Sequence, residues 1–277
     1  MPAVDCHAHV FNLKRFPVQD SRGFDIASNE QGSAEDYVAV LDAHGVSHAL
    51  LINPLGGYGI DNRCMLAAIA EHPGRFKGIS LLPPDVTDAQ IKAMVDGGVI
   101  GIRFNLNFEK SPSLYGKAGE RALAIARDTG WLVQVHYEGE TIVPALPVLV
   151  ASKLTVVVDH FGRPEVSRGV EQPGFQALLE LGRQGGIVKL SAGFRASQDQ
   201  SRYADLDPFA AALLKHFTVN RCVWGSDWPF LRARSRVDYG PQLTALARWV
   251  PDAGDRERVL WTNPSRIFGF KAGRPPG

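Results

Sequence analysis

The residues in this chain best suited to chemistry lie at Val4-Asp5-Cys6-His7-Ala8-His9-Val10, where two imidazoles stand two residues apart in an apolar, strand-like run. Side chains at i and i+2 of a strand share a face, so His7 and His9 point the same way. A regular strand brings Asp5 onto that face and turns Val4, Cys6 and Ala8 towards packing helices. Two parallel imidazoles at this spacing can hold one metal ion or clasp one substrate oxygen. They can equally be core histidines satisfied by backbone carbonyls, so the rest of the chain has to decide.

The totals narrow the class. A chain of 277 residues with 45% hydrophobic content suits one large globular core. Its net charge of +1, with Lys and Arg spread along the whole length, argues against nucleic acid or an anionic membrane as main partner and favours small-molecule work. Cys6, Cys64 and Cys222 are odd in number and widely spaced, which is no disulfide framework. No charged leader with an apolar core stands before the first strand, and no apolar run reaches membrane-spanning length. A cytoplasmic protein is expected.

The elements that must position the histidines alternate without a break. After the first strand, residues 12–32 are polar and glycine-punctuated and read as a long loop. Ser33 is placed to cap a helix that runs to His44 and stops at Gly45. Strands are expected at 48–52, 76–82, 99–104, 131–136, 154–159, 187–191 and 221–225. Helices are expected between and after them at 61–71, 88–96, 119–129, 143–151, 175–183, 208–217 and 239–249, with a covering helix at 256–268 and a frayed tail at 271–277. Eight strands, each followed by a helix and several of them apolar throughout, predict a single-domain (β/α)8 barrel over residues 1–277. A doubly wound open sheet would want a glycine fingerprint after the first strand, and His-Ala-His-Val-Phe is not one.

In such barrels the chemistry sits at the C-terminal ends of the strands. Those ends carry His7 and His9, Asn53, Arg103, His136 and Tyr137, Asp159 and His160, Ser191, and Ser226-Asp227. Four histidines and an aspartate should therefore converge on one mouth, and clusters of that kind seldom serve structure alone. Arginines form a second layer, with Arg103, Arg163 and Arg195 near strand ends and Arg232, Arg234 and Arg236 in the loop after Asp227. Guanidinium forks suit carboxylates. Arg234 and Arg236 read as solvated surface charges, whereas Arg103 ends a buried strand and needs an anionic partner or ligand. Lys189 has the same need, which snorkelling or a buried partner such as Asp159 can meet, and its expected role is structural.

Four motifs, His-x-His on strand 1, Val-Asp-His-Phe-Gly-Arg-Pro after strand 6, Trp-Gly-Ser-Asp-Trp-Pro at strand 8 and Thr-Asn-Pro-Ser-Arg-Ile-Phe-Gly-Phe near the end, carry a resemblance over essentially the whole chain. The sequence resembles the amidohydrolase superfamily, and within it the amidohydrolase-2 group that includes lactonases of 2-pyrone-4,6-dicarboxylate and of sugar acids. That resemblance implies Asp227 as general base for the attacking water, with His7, His9 and His160 holding or polarising the substrate and His160 near the scissile carbonyl. It implies Arg103, Arg163 and Arg195 as binders of substrate carboxylates, with Asn53 and either His136 or Tyr137 completing the pocket. Many members use such histidines and the aspartate, here His7, His9, His136, His160 and Asp227, for a divalent metal, while the pyrone lactonases look metal-free. The expected cofactor is therefore none, or one Zn or Mn ion. Strand 4 offers no lysine for carbamylation, so a binuclear site is not expected.

The function so implied is hydrolysis of an anionic lactone, with 2-pyrone-4,6-dicarboxylate favoured because of the arginines. The alternatives are a metal-dependent sugar-acid lactonase, a metal-dependent decarboxylase of the same superfamily, and a non-catalytic binding protein on a barrel scaffold. The expected partner is a small molecule, with no nucleic acid and no membrane, and homo-oligomer formation is left open.

Overall fold

The computed structural model describes residues 2–18, 26–27, 30–109 and 111–273. Parts of the expected 12–32 loop and the last four residues of the expected tail lie outside the described residues. Eight strands run in one parallel sheet in sequence order: β1 Val4–Ala8, β2 His48–Ile52, β3 Phe76–Ser80, β4 Val99–Asn105, β5 Leu132–His136, β6 Val156–Val158, β7 Ile187–Ser191 and β8 Cys222–Gly225. The helices that follow them in turn are α1 Ala34–Ala43, α2 Arg63–Glu71, α3 Asp88–Asp96, α4 Gly116–Thr129, α5 Ile142–Ser152, α6 Pro173–Arg183, α7 Asp207–Phe217 and α8 Tyr239–Trp249. This is the (β/α)8 barrel that the alternation predicts. Ser33 caps α1 as expected, its Oγ accepting from the Asp36 N–H at 3.1 Å while the Asp36 carboxylate accepts from the Ser33 N–H at 3.2 Å.

The end of the chain differs from expectation. Instead of one helix over 256–268 there are α9 Ala253–Glu257, a wide π-type turn at Arg258–Thr262 and α10 Asn263–Phe268. Pro264 has no N–H to return to the carbonyl one turn earlier, which favours a break there. Phe268 and Phe270 pack with Val4, Cys6, Leu50 and Val223 in an apolar cluster that fills the lower barrel. No described helix is long and apolar enough to cross a membrane.

β1 is not regular. Asp5 lies opposite Ala49 and Ala8 opposite Leu51, so three steps on β1 match two on β2. Such a bulge flips the side-chain alternation within the strand. Cys6 therefore joins Val4 in the barrel interior, and Asp5 turns outwards, contrary to the expectation for a regular strand, while His7 and His9 still face one way. The bulge is held by the barrel's closure. Asp5 Oδ1 accepts from the Ser226 and His7 N–H groups at 2.8 and 3.1 Å, and its Oδ2 accepts from the Tyr37 and Tyr239 hydroxyls at 2.7 and 3.0 Å. Beside this clamp the Asp227 N–H donates to the His7 carbonyl and the His9 N–H to the Trp228 carbonyl, both at 2.8 Å. Gly225 permits the approach, since a Cβ there would stand 2.7 Å from the His7 nitrogen.

Candidate active site

Strand parity decides which side chains reach the barrel axis. On β5, Gln134 and His136 point inwards, and Tyr137, one step on, lies in the outer core with its hydroxyl donating to the Gly174 carbonyl of α6 at 3.2 Å. Of the two alternatives expected to complete the pocket beside Asn53, His136 is at the mouth and Tyr137 is not. After β6 the backbone turns left-handed at four successive residues, His160, Phe161, Gly162 and Arg163, which swings the His160 ring over the axis. Asp227 is also left-handed, with φ 66°. Non-glycine residues in that region cost of order 1 kcal/mol each, a strain that tends to gather at functional sites.

Asp227 is the centre of the cluster. Its Oδ2 accepts from Nε of Arg195, whose Nη1 is anchored on the Leu231 carbonyl at 3.2 Å. Its Oδ1 is buried without a hydrogen-bond partner among the described residues and faces Nε2 of His9, His7 and His160 at 3.5, 3.6 and 3.9 Å. The far sides of two of these rings are fixed, His9 Nδ1 by the Ile52 carbonyl at 2.7 Å and His160 Nδ1 by Ser191 Oγ at 2.9 Å.

A buried ionic layer lies beneath. Asp159 Oδ2 accepts from Arg103 Nε and Nη2 at 3.1 and 2.9 Å and from Gln134 Nε2 at 3.2 Å. Its Oδ1 lies 3.1 Å from Lys189 Nζ and 3.2 Å from His7 Nδ1. The charge of Lys189 is thus met by Asp159, one of the two solutions the sequence allowed. Arg103 has found its anion in the same carboxylate.

Burial pushes the His7, His136 and His160 imidazoles below the ordinary histidine range, His7 and His160 strongly so. For Asp159, burial acts upwards, but Lys189, His7 and Arg103 outweigh it and hold the carboxyl well below the ordinary range. For Asp227, burial is likewise outweighed, by Arg195 first and then His160. The site therefore presents ionised carboxylates beside neutral rings.

At the rim, Arg163 pairs with Glu138 at 2.9 Å, and Arg234, expected as a plain surface charge, lies within electrostatic reach of Arg163. Glu138 is drawn down to about 2, first by its contact with His136 and then against burial by Arg163. Asn53 is buried, its Nδ2 donating to the Gly59 carbonyl at 2.8 Å while Oδ1 has no partner among the described residues. Sequence reading missed Gln134 and Glu138. A polar residue two places before His136 on a buried strand was a signal for the first, whereas nothing local marked the second.

His7, His9 and Asp227 bring three buried donor atoms within 4.8 Å of one another, and His7, Asp159 and His160 form a second such group. His136, expected among the ligands, is in neither; its Nε2 faces Glu138 at 3.8 Å and its Nδ1 faces Asp159 at 3.9 Å. The unpartnered His7 Nε2 and Asp227 Oδ1 are what a divalent ion would need, so the first group fits one by position and donor type. It fits fully only if His7 offers Nε2 as a lone pair.

Residues 4–270 match the family model described as Amidohydrolase. The chain belongs to that family. Among its curated relatives, the 4-sulfomuconolactone hydrolase of Hydrogenophaga intermedia is 31% identical over 96% of this chain and 88% of its own length. The 2-pyrone-4,6-dicarboxylate hydrolase of Comamonas testosteroni is 29% identical over 96% of this chain and 90% of its own. Among solved structures, a candidate 2-pyrone-4,6-dicarboxylic acid hydrolase from Pseudomonas putida is similar with a TM-score of 0.85, 33% identity and 98% coverage of both chains. The resemblance to the amidohydrolase family read from the four motifs is thereby borne out.

Proposed function

We propose that this amidohydrolase hydrolyses a planar, anionic lactone, with 2-pyrone-4,6-dicarboxylate and sulfonated muconolactones as the substrates to try first. The observation that carries the reading is Asp227, with one oxygen held by Arg195 and the other free to face three imidazoles. Both curated relatives are named for acidic lactones, and the arginines at this mouth are the groups that such acids require.

In the proposed reaction a water beside Asp227 Oδ1 gives up a proton to that carboxylate and attacks the lactone carbonyl carbon. His7 and His160 stand where their N–H groups can polarise the carbonyl oxygen as it gains charge. The ring C–O bond then breaks, and the proton on Asp227 passes to the departing oxygen, giving an open acid and an enol. A stabilised enol leaves readily. Arg163 and Arg195 orient the acid groups at the rim, with the positive charge of Arg103 beneath them. A divalent ion, held by His7, His9 and Asp227 when bound, would lower the pKa of the water and polarise the carbonyl together.

The test is the loss of 2-pyrone-4,6-dicarboxylate absorbance on adding purified protein, beside a sulfonated muconolactone, a sugar-acid lactone and an uncharged 2-pyrone. Each is run before and after chelation, with metal analysis of the sample. Turnover confined to the acidic lactones supports the reading. Equal turnover of the uncharged pyrone removes the arginines' role, and turnover of none of the four removes the lactonase.

A further inference from the structure

Lys189 is fully buried beneath the site, and its ammonium has three protons to place. Three acceptor atoms surround Nζ: Gln134 Oε1 at 2.8 Å, His7 Nδ1 at 3.0 Å and Asp159 Oδ1 at 3.1 Å. The Gln134 amide is oriented for this, because its Nε2 end already donates to Asp159 Oδ2. If His7 carried its proton on Nδ1, one Lys189 proton would point at another N–H between two fully buried side chains, and a buried unmatched donor is costly. A doubly protonated His7 would set two cations 3.0 Å apart. With Lys189 charged beside Asp159, its third proton is matched only when Nδ1 of His7 accepts it, and the Asp159 Oδ1 that lies 3.2 Å from Nδ1 then accepts from Lys189 instead.

We propose that Lys189 is a positioning residue that fixes His7 with its proton on Nε2 and so withholds His7 from a metal ion. His9 is held by the opposite kind of partner. Its Nδ1 meets the Ile52 carbonyl, which can only accept, so Nδ1 of His9 carries a proton. The two imidazoles of the His-x-His pair thus have different work. His9 spends its Nδ1 proton on the backbone, and His7 offers its Nε2 proton to Asp227 Oδ1 or to a substrate oxygen in its place. In this state a metal could gain His7 only by passing its proton to Nδ1, where Asp159 Oδ1 at 3.2 Å would receive it and Lys189 would have to move away. The inference holds whichever lactone the site takes, because it concerns the free protein.

Two measurements test it, neither of which uses substrate. Long-range 15N–1H spectra of the metal-free wild-type protein, with His7 assigned by its loss in His7→Gln, should show a protonated Nε2 and a bare Nδ1. A protonated Nδ1 overturns the proposal. Calorimetric titration with Zn2+ should show tighter binding in Lys189→Met than in wild type by roughly ten- to a hundredfold, the usual weight of a group that orients a ligand. Unchanged affinity in a variant with a wild-type circular dichroism spectrum overturns it, as does wild-type protein that binds Zn2+ through His7 without losing the Nε2 proton. Should Lys189→Met fail to fold, the wild-type spectrum decides alone.

Discussion

Arg195 and Asp227 meet through the guanidinium Nε and the carboxylate Oδ2, which turns the other carboxylate oxygen towards the Nε2 atoms of His9, His7 and His160. One oxygen is thereby tied and the other kept for chemistry. Asp227→Asn preserves the shape but removes the proton acceptor. We expect it to lower kcat by about 10²–10⁴-fold, the range for a general base, while substrate affinity stays within about tenfold. Stopped-flow turnover and equilibrium binding of the substrate check this, and wild-type kcat in the variant would free Asp227 from the role.

Three rings kept neutral by burial make a prediction about acid stability. His7, His136 and His160 have folded-state pKa values below the unfolded value of 6.5. Below that pH the unfolded chain binds protons that the folded chain refuses, so stability rises with pH in this window and is lost as pH falls through it. Each group contributes up to about 1.4 kcal/mol per pH unit where it is fully engaged. Asp159 and Asp227, held below 3.8, add a further loss only at more acid pH. Urea midpoints should fall between pH 7 and pH 5, and His160→Gln should flatten that slope; a flat wild-type profile contradicts neutral burial.

The clamp at Asp5 should matter for stability more than any single apolar contact near it. Asp5→Ala leaves the Tyr37 and Tyr239 hydroxyls and the Ser226 N–H without their acceptor in a dry interior. At about 1–3 kcal/mol for each orphaned group, a loss of several kcal/mol is expected. Chemical denaturation measures it directly. A loss under about 1 kcal/mol would mean that other contacts close the barrel between β1 and β8.

Tyr137 and His136 are neighbours with opposite fates, and paired variants separate them. Tyr137→Phe removes only the bond to the Gly174 carbonyl, so kcat/KM should be unchanged and stability should fall by about 1 kcal/mol. His136→Gln removes a ring at the mouth between Asp159 and Glu138 and should lower kcat/KM. Steady-state kinetics of the two, side by side, would reverse the parity argument if Tyr137→Phe were the damaged one.

What the sequence disclosed follows from what is local. Runs such as Val156–Val158 and Ile187–Ser191 identify themselves by composition, and the strand ends follow once the barrel is assumed, which is why His7, His9, His160 and Asp227 could be grouped in advance. The bulge on β1 was hidden because its cause lies far along the chain, in Ser226, Tyr37 and Tyr239 around Asp5. The choice between His136 and Tyr137 was readable from Gln134, whose place on a buried strand fixes the inward parity. Glu138 was not, since its pairing depends on the left-handed turn that delivers Arg163.

That pairing yields the last prediction. Arg163 and Glu138 are 2.9 Å apart at the rim, and Glu138 is half exposed, so their ion pair is worth no more than about 1 kcal/mol. A substrate acid group can displace Glu138 cheaply, and the carboxylate serves to hold the guanidinium ready between turnovers. Arg163→Gln should raise KM for a dianionic lactone by about tenfold or more, since hydrogen bonds to charged groups contribute about 1.5–3 kcal/mol. An uncharged lactone should show no such change. Glu138→Gln should act in the opposite sense, lowering KM for the acid by removing its competitor for Arg163. Kinetics of both variants on a charged and an uncharged lactone make the check, and a KM that rises in Glu138→Gln would place Glu138 itself among the groups that orient the substrate.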